Sequence, residues 1–571
     1  MKKILLVLII LVPYLLNSQW GNDPAVNTAV CDLAGSQAVP KTATSTEGDT
    51  YIGWFSNETG NYDVRLQRFD SDGNELWEHN GILISNHPSM TWLTDWDMTV
   101  DGANHAILTF QDIRNGGNNN VYVYRISPSG EFIWGVDGLE LSNSVAFDVS
   151  PKVAVTGIGN AVIAWQADDV IIMQKIAPDG TLLWGDNGIT LTCANTYSWP
   201  QLLPVGTDDV IMKFFEDSGM FPMTTRHVYA QRFDADGNPL WADNTVISNA
   251  GGISVWNQIF PMVSDRNSGF FIAWDDDRDN NMLEDSFIQH VDADGQTLFP
   301  NNGLEVSLMT GRNHFYPEIA FPENSTDVFV FWNEMDGGQN QRGIYGQKIS
   351  NTGDRLWTDN GMAFIHLTAT DVLPIATRST ESDIVVFYKE NLSPVNNQIK
   401  AMMIDPDGAF VWDDGYITLS SVASEKLHNV VSHYFNNQWI AVWEDRRIDN
   451  GDIYAQNINL DGTLGPQVIG VEENLHPEIA GFNLRNYPNP FNPETIISFS
   501  TTELTENTEI NIYNINGQKV KQLVSEQLSA GQYSVVWNGK DDSGETVSSG
   551  VYFYKMDAGK YSSTKKMILM K

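Results

Sequence analysis

The chain has 571 residues, of which 42% are hydrophobic and 11% aromatic, and a formal net charge of −39. That much apolar surface excludes a disordered chain, because burying it offsets the entropy lost on ordering. The length exceeds one ordinary core and points to several units or a repeat array, while the negative charge speaks against nucleic acid or anionic membranes as partners.

Lys2 and Lys3 precede an apolar stretch from Ile4 to Leu16, followed by Asn17 and Ser18. This is the order of a secretory signal peptide, so residues 1–18 are expected to be removed near Ser18–Gln19. The stretch is too short to span a bilayer, and no later segment has the roughly 18 continuous apolar residues of a spanning helix. A mature chain without a transmembrane segment, secreted or held at the cell surface by way of the periplasm, is the expectation. Cys31 and Cys193 are the only cysteines, which rules out a disulfide scaffold.

Between about residues 20 and 470 one unit recurs eight times. Its clearest part is Gln67-Arg-Phe-Asp-Ser-Asp-Gly73-Asn-Glu-Leu-Trp77, which returns from Gln174 to Trp184 and from Gln231 to Trp241. The turn glycines are Gly73, Gly130, Gly180, Gly237, Gly295, Gly353, Gly408 and Gly462, spaced by 50 to 58 residues. Four residues after each comes Trp77, Trp134, Trp184, Trp241, Phe299, Trp357 or Trp412, and only the eighth unit departs, with Pro466. A second column comprises Trp54, Phe110, Trp165, Phe215, Trp274, Trp332, Tyr388 and Trp443, each ending an apolar run that reads as a buried strand.

Each unit therefore reads as four strands: one from a Pro-x-apolar start such as Pro151, one ending in the column aromatic, one carrying the Gln, and one carrying the Trp. Four-stranded units of this period stack around an axis, since one unit cannot cover both its apolar faces. The expected fold is all-β, an eight-bladed β-propeller. A buried Trp removes roughly 150 to 250 Å² from water, an upper bound of about 4 to 6 kcal/mol each at about 25 cal/mol/Å², so the two columns read as packing between blades. Asn27-Thr-Ala-Val30 resembles the missing strand of the eighth unit and is expected to close the ring by pairing near residues 440–460. Cys31 then belongs to the eighth blade and Cys193 to the third, which predicts two free thiols.

A polar linker at 471–483 leads to Leu484-Arg-Asn-Tyr487-Pro488-Asn489-Pro490-Phe491-Asn492-Pro493, then to segments around Tyr513-Asn-Ile-Asn-Gly517, Trp537, Gly550-Val-Tyr552 and Lys565-Lys566-Met-Ile-Leu-Met-Lys571. About seven alternating strands separated by Gly and Asn turns read as a small Ig-like β-sandwich over 484–571. These residues resemble the type A C-terminal sorting domain of type IX secretion cargo, which is related to the Ig-like domain of flagellar hook-capping proteins. The resemblance implies a sorting signal at Tyr487 to Pro493, Gly517, Gly550, Tyr552, Lys565, Lys566 and Lys571. It also implies two export partners, the secretory translocase and the type IX outer-membrane translocon, and it is silent about the body.

No H-E-x-x-H, G-x-S-x-G, P-loop or C-x-x-C pattern occurs, and no cofactor is expected. Calcium is the one metal to weigh, at the D-x-D-G turns of Asp70, Asp234, Asp292 and Asp405. These lack the further oxygens of a calcium loop and read as hairpin turns. An aromatic-x-Asp-x-Arg motif places Asp112 with Arg114, Asp276 with Arg278, and Asp445 with Arg447 where the loop between second and third strands begins. Those loops, expected at 216–227, 275–286 and 334–342, make Asp112, Arg114, Asp276, Arg278, Glu334, Asp445 and Arg447 the candidate ligand-binding face. The expected function is binding of an extracellular glycan, peptide or surface partner. The alternative is a carbohydrate-active hydrolase or lyase with carboxylates such as Asp276, Asp445 or Glu334 converging near the axis.

Overall fold

In a computed structural model of the chain, the described residues are 20–89, 95–219, 223–467, 484–487, 491, 493–501, 508–528, 531–558 and 561–569. The expected signal peptide, the linker, and Pro488, Asn489, Pro490, Asn492 and Lys571 lie outside them. The chain divides into Met1–Gln467 and Val468–Lys571. No helix occurs among the described residues, so none is long and apolar enough to cross a membrane.

The first unit is built from eight four-stranded antiparallel sheets. Sheet one runs Gln37–Thr44, Thr50–Ser56, Asp63–Phe69, Ile82–Ser85 in spatial and chain order. Sheets two to seven repeat this meander over residues 97–140, 148–191, 196–248, 262–305, 312–368 and 371–420. Sheet eight takes Lys426–Val431, Gln438–Asp445 and Asp452–Asn459 from its own stretch, and its fourth strand is Thr28–Cys31, with Thr28 opposite Ala455 and Ala29 opposite Tyr454. The first strand of each sheet touches that of the next, and Lys426–Val431 touches Gln37–Thr44, so the series closes. The fourth strand expected from the N-terminal segment is thus in place, and Cys31 and Cys193 are both free.

Two details of the repeat differ from the expectation. The inner strand does not start at its proline: in sheet three it begins at Asp148, and the register shifts between Val149 and Lys152. Val39, Ser150, Trp199 and Tyr316 stand immediately before Pro40, Pro151, Pro200 and Pro317 with φ of 53°, 53°, 50° and 53°. A proline has no N–H to give a ladder, so it fits a bulge on the free inner edge, and the left-handed residue before it costs about 1–3 kcal/mol.

The repeated Trp is not in the fourth strand but in the turn before it; Trp77 precedes Ile82–Ser85. The repeated Gln explains why a turn tolerates it. Gln174 accepts from the Trp184 backbone N–H at 3.2 Å and donates to Gly185 O at 2.6 Å, satisfying groups that no strand partner reaches. The indole then leans on the next sheet. Trp77, Trp134, Trp184, Trp241 and Trp412 donate through Nε1 to Pro128, Pro178, Ala235, Ala293 and Leu460 O at 3.0–3.3 Å. Each acceptor lies two residues before a turn glycine. A Cβ on Gly295, where φ is +80°, would fall 2.5 Å from the Trp241 ring, so both backbone conformation and space demand glycine.

In sheet eight this role passes to Trp20, which the repeat pattern does not reveal. Trp20 is buried and donates through Nε1 to Ser71 O at 3.2 Å, two residues before Gly73. Gln456 donates to Gly21 O at 2.7 Å, as Gln67, Gln174 and Gln347 do to Glu78, Gly185 and Thr358, the residues after their Trp. The second aromatic column is wholly buried, from Trp54 to Trp443.

Among its described residues the second unit holds seven strands in two sheets. Leu484–Tyr487, Thr495–Thr501 and Gly531–Trp537 form one; Lys519–Glu526, Thr508–Asn514, Gly550–Ala558 and Tyr561–Leu569 form the other. Phe491, Trp537 and Tyr552 share its core, with Phe491 and Trp537 ring centroids 5.5 Å apart. Phe491 N also bonds Ile568 O at 3.0 Å.

Candidate functional site

In an up-down meander the turns between second and third strands and the crossings from fourth strand to next first strand lie at one end. All seven sequence-predicted body residues belong to that end, and the structure keeps them in separate sheets. Asp276 accepts from Trp274 Nε1 at 2.8 Å and from Arg278 Nε and Nη2 at 2.7 Å each. The Arg278 guanidinium lies over the Phe287 ring, 3.3 Å from its centroid. Asp445 repeats this with Trp443 at 2.8 Å and Arg447 at 2.6 Å, and Arg447 covers Tyr454. Asp112 holds Arg114 Nε at 2.9 Å, over Tyr122. Glu334 accepts from Trp332 Nε1 at 2.8 Å and Arg312 Nη1 at 3.1 Å, and lies 3.3 Å from His314 Nε2.

These four acids are buried, and each is held by side chains of its own or the adjoining turn, although Asp445 Oδ1 is left without a hydrogen-bond partner. They also sit on strand ends rather than in loops. Asp275 and Asp276 pair with Ser286 and Asp285, Glu216 and Asp217 pair with His227 and Arg226, and Glu334 pairs with Gly343. The expected loops are therefore shorter than their sequence spacing suggests. An acid two residues beyond the column aromatic recurs as Asp217 after Phe215 and Glu390 after Tyr388, a spacing legible in the sequence.

At the seam of sheets five and six the groups are less fully matched. Asp275 is buried and accepts from Asn257 Nδ2 at 2.9 Å and from Tyr316 N at 3.4 Å. Burial pushes its carboxyl up to about 6. Glu284, immediately before the third strand of sheet five, is pushed up to about 8 by burial and then by Asp275, Asp277, Asp276 and Asp285. Its N–H donates to Asn313 Oδ1 at 3.1 Å, so the two residues adjoin. Glu284 Oε2 and Asn313 Nδ2 are both buried without a hydrogen-bond partner.

Tyr316, whose N–H reaches Asp275, is 51% exposed, and the turn that holds Asn257 against Asp275 also carries the exposed Trp256, at 74%, and Ile259, at 45%. The turn that carries Trp256 is clamped from both sides. Arg226, doubly bonded to Asp217 at 2.7 Å, donates to Val255 O at 3.1 Å and Asn257 O at 2.8 Å, while Asn257 grips Asp275.

Nearer the axis, Lys41 and Lys152 from sheets one and three share Asp95, with Lys41 Nζ at 2.7 Å. Burial alone would raise Asp95, but Lys152 and Lys41 outweigh it and hold the carboxyl below the usual range. The D-x-D-G acids cap their own hairpins: Asp70 Oδ1 accepts from Asp72 N at 3.0 Å and Asn74 N at 2.8 Å. Among the described residues no group of three or more His, Cys, Asp or Glu is placed to hold a metal.

Residues 488–562 match the FlgD Ig-like domain family. No curated protein matches the chain by sequence. Among solved structures, the Dos1 propeller shares 11% identity over 76% of this chain and 94% of its own, at TM-score 0.44. The WD40 domain of SCAP from fission yeast shares 10% over 78% and 95%, at 0.39. Polysaccharide lyase Uly1 shares 9% over 76% and 92%, at 0.37. Such distant likenesses concern the propeller shape of the body and say nothing of its activity.

Proposed function

We propose that the chain is an exported, eight-bladed propeller that binds an extracellular ligand on the face carrying the second-to-third-strand turns, with residues 484–571 directing it through the type IX route. The binding reading is carried by the exposed Trp256 and Tyr316 standing over clamped backbone. Rigid turns presenting apolar side chains lose little entropy when a ligand docks. The sorting reading is supported by an Ig-like tail in which Phe491 and Tyr552 are core, Gly517 and Gly550 take φ of +76° and +149°, and Lys565 and Lys566 lie exposed on an edge strand.

Export is tested by producing the full chain and a chain lacking 484–571 in a bacterium that has the type IX translocon. The full chain is expected outside the cell or on its surface, and the truncated one in the periplasm. Equal export of both would contradict the sorting reading. One observation favours the hydrolytic alternative: Glu284, pushed up to about 8, keeps a proton at neutral pH as a general acid must. That activity would appear as release of reducing ends from a polysaccharide.

A further inference from the structure

We infer that the seam of sheets five and six is a binding site for an uncharged glycan, with Trp256 and Tyr316 as stacking surfaces and Glu284 and Asn313 as its hydrogen-bonding pair. The inference rests on the reading of that face as ligand-binding and gives it a place and a ligand class.

Asn313 is 1% exposed, and its Oδ1 is used by the Glu284 N–H, which leaves Nδ2 as a buried donor with no acceptor. Glu284, whose backbone N–H makes that bond, has its Oε2 buried and unmatched as well. Buried polar groups without a partner are costly, so a ligand that meets both is favoured. A sugar hydroxyl accepts from one group and donates to the other. An ammonium cannot accept from Asn313, and a carboxylate or sulfate would meet Asp275, Asp276, Asp277 and Asp285, the four acids that face Glu284.

The basic side chains nearby are already paired: Arg278 with Asp276, and His314 Nδ1 with Asp285 at 3.1 Å. Asp275 ties the whole together, since it fixes the backbone of Tyr316 and, through Asn257, the turn that carries Trp256. Aromatic faces flanking a few convergent polar groups are the usual make-up of a small-ligand site.

The test is titration of the full chain with uncharged gluco-, xylo-, manno- and arabino-oligosaccharides, an oligogalacturonate and an oligolysine. At least one uncharged series is expected to bind, with affinity falling about tenfold or more in Trp256→Ala and in Glu284→Ala. Glu284→Gln, which can still accept and donate, is expected to stay within about threefold of the parent. Trp256 is exposed, so its variant reports on the site even if a Glu284 variant folds poorly. Binding only to oligogalacturonate or oligolysine would overturn the ligand class. Uncharged-glycan binding that ignores both alanine variants would overturn the seam while leaving the face intact. Retention of none of the probes would count against both.

Discussion

Asp276 and Glu284 belong to the same sheet yet are treated in opposite ways by their surroundings. Asp276 has an indole and a guanidinium closing on its oxygens, whereas Glu284 keeps a buried oxygen without a partner among four other acids. Burial likewise pushes Glu318 and Asp452 up to about 7. An acid raised on folding binds more protons folded than unfolded between its two values, so stability falls as pH rises through that window. For Glu284 the window runs from 4.5 to about 8. His433, lowered to about 4 by Arg378 and burial, acts the other way but only below its ordinary 6.5. The contribution of Glu284 to the unfolding temperature is therefore expected to fall between about pH 6.5 and about pH 8. In Glu284→Gln the fall should be shallower, which thermal unfolding at a series of pH values checks. An unchanged slope would show that Glu284 titrates as it does in the unfolded chain.

The element that the sequence hides is the turn built by Gln and Trp. Spacing shows that an aromatic stands four residues after each turn glycine, but not that it lies outside a strand. Only the hydrogen bonds of Gln174 to Trp184 and Gly185 make a non-strand Trp affordable. Trp20 escaped the periodic reading because its own sheet is formed by residues some 400 positions away, and nothing local marks it. Its indole stacks on Phe69 at 5.4 Å and covers Gly73. Trp20→Ala is expected to cost about 3–5 kcal/mol, as for other buried Trp truncations, read as a lowered denaturant midpoint. A change below about 1 kcal/mol would mean that the segment before Thr28 adds nothing to ring closure.

At the scale of the molecule, the repeat, the missing fourth strand and the β-sandwich tail were legible because each rests on periodicity or on turn residues. The seam was not. Asp275, Glu284, Asn313 and Tyr316 come from two sheets, and their spacing carries no motif, so only folding brings them together. The aromatic-x-Asp-x-Arg motif was legible as a pattern, but its carboxylates are spent on Trp274, Trp443 and their arginines. Closure of the ring depends on one long-range pairing, that of Thr28–Cys31 with Asp452–Asn459. In a Cys31→Ser, Cys193→Ser background, cysteines placed at Thr28 and Ala455, which face each other across that pairing, should cross-link within one chain under oxidising conditions or with a short bismaleimide. An intramolecular product that is lost on unfolding is the predicted result. Cross-links only between chains, or none, would contradict the closed ring.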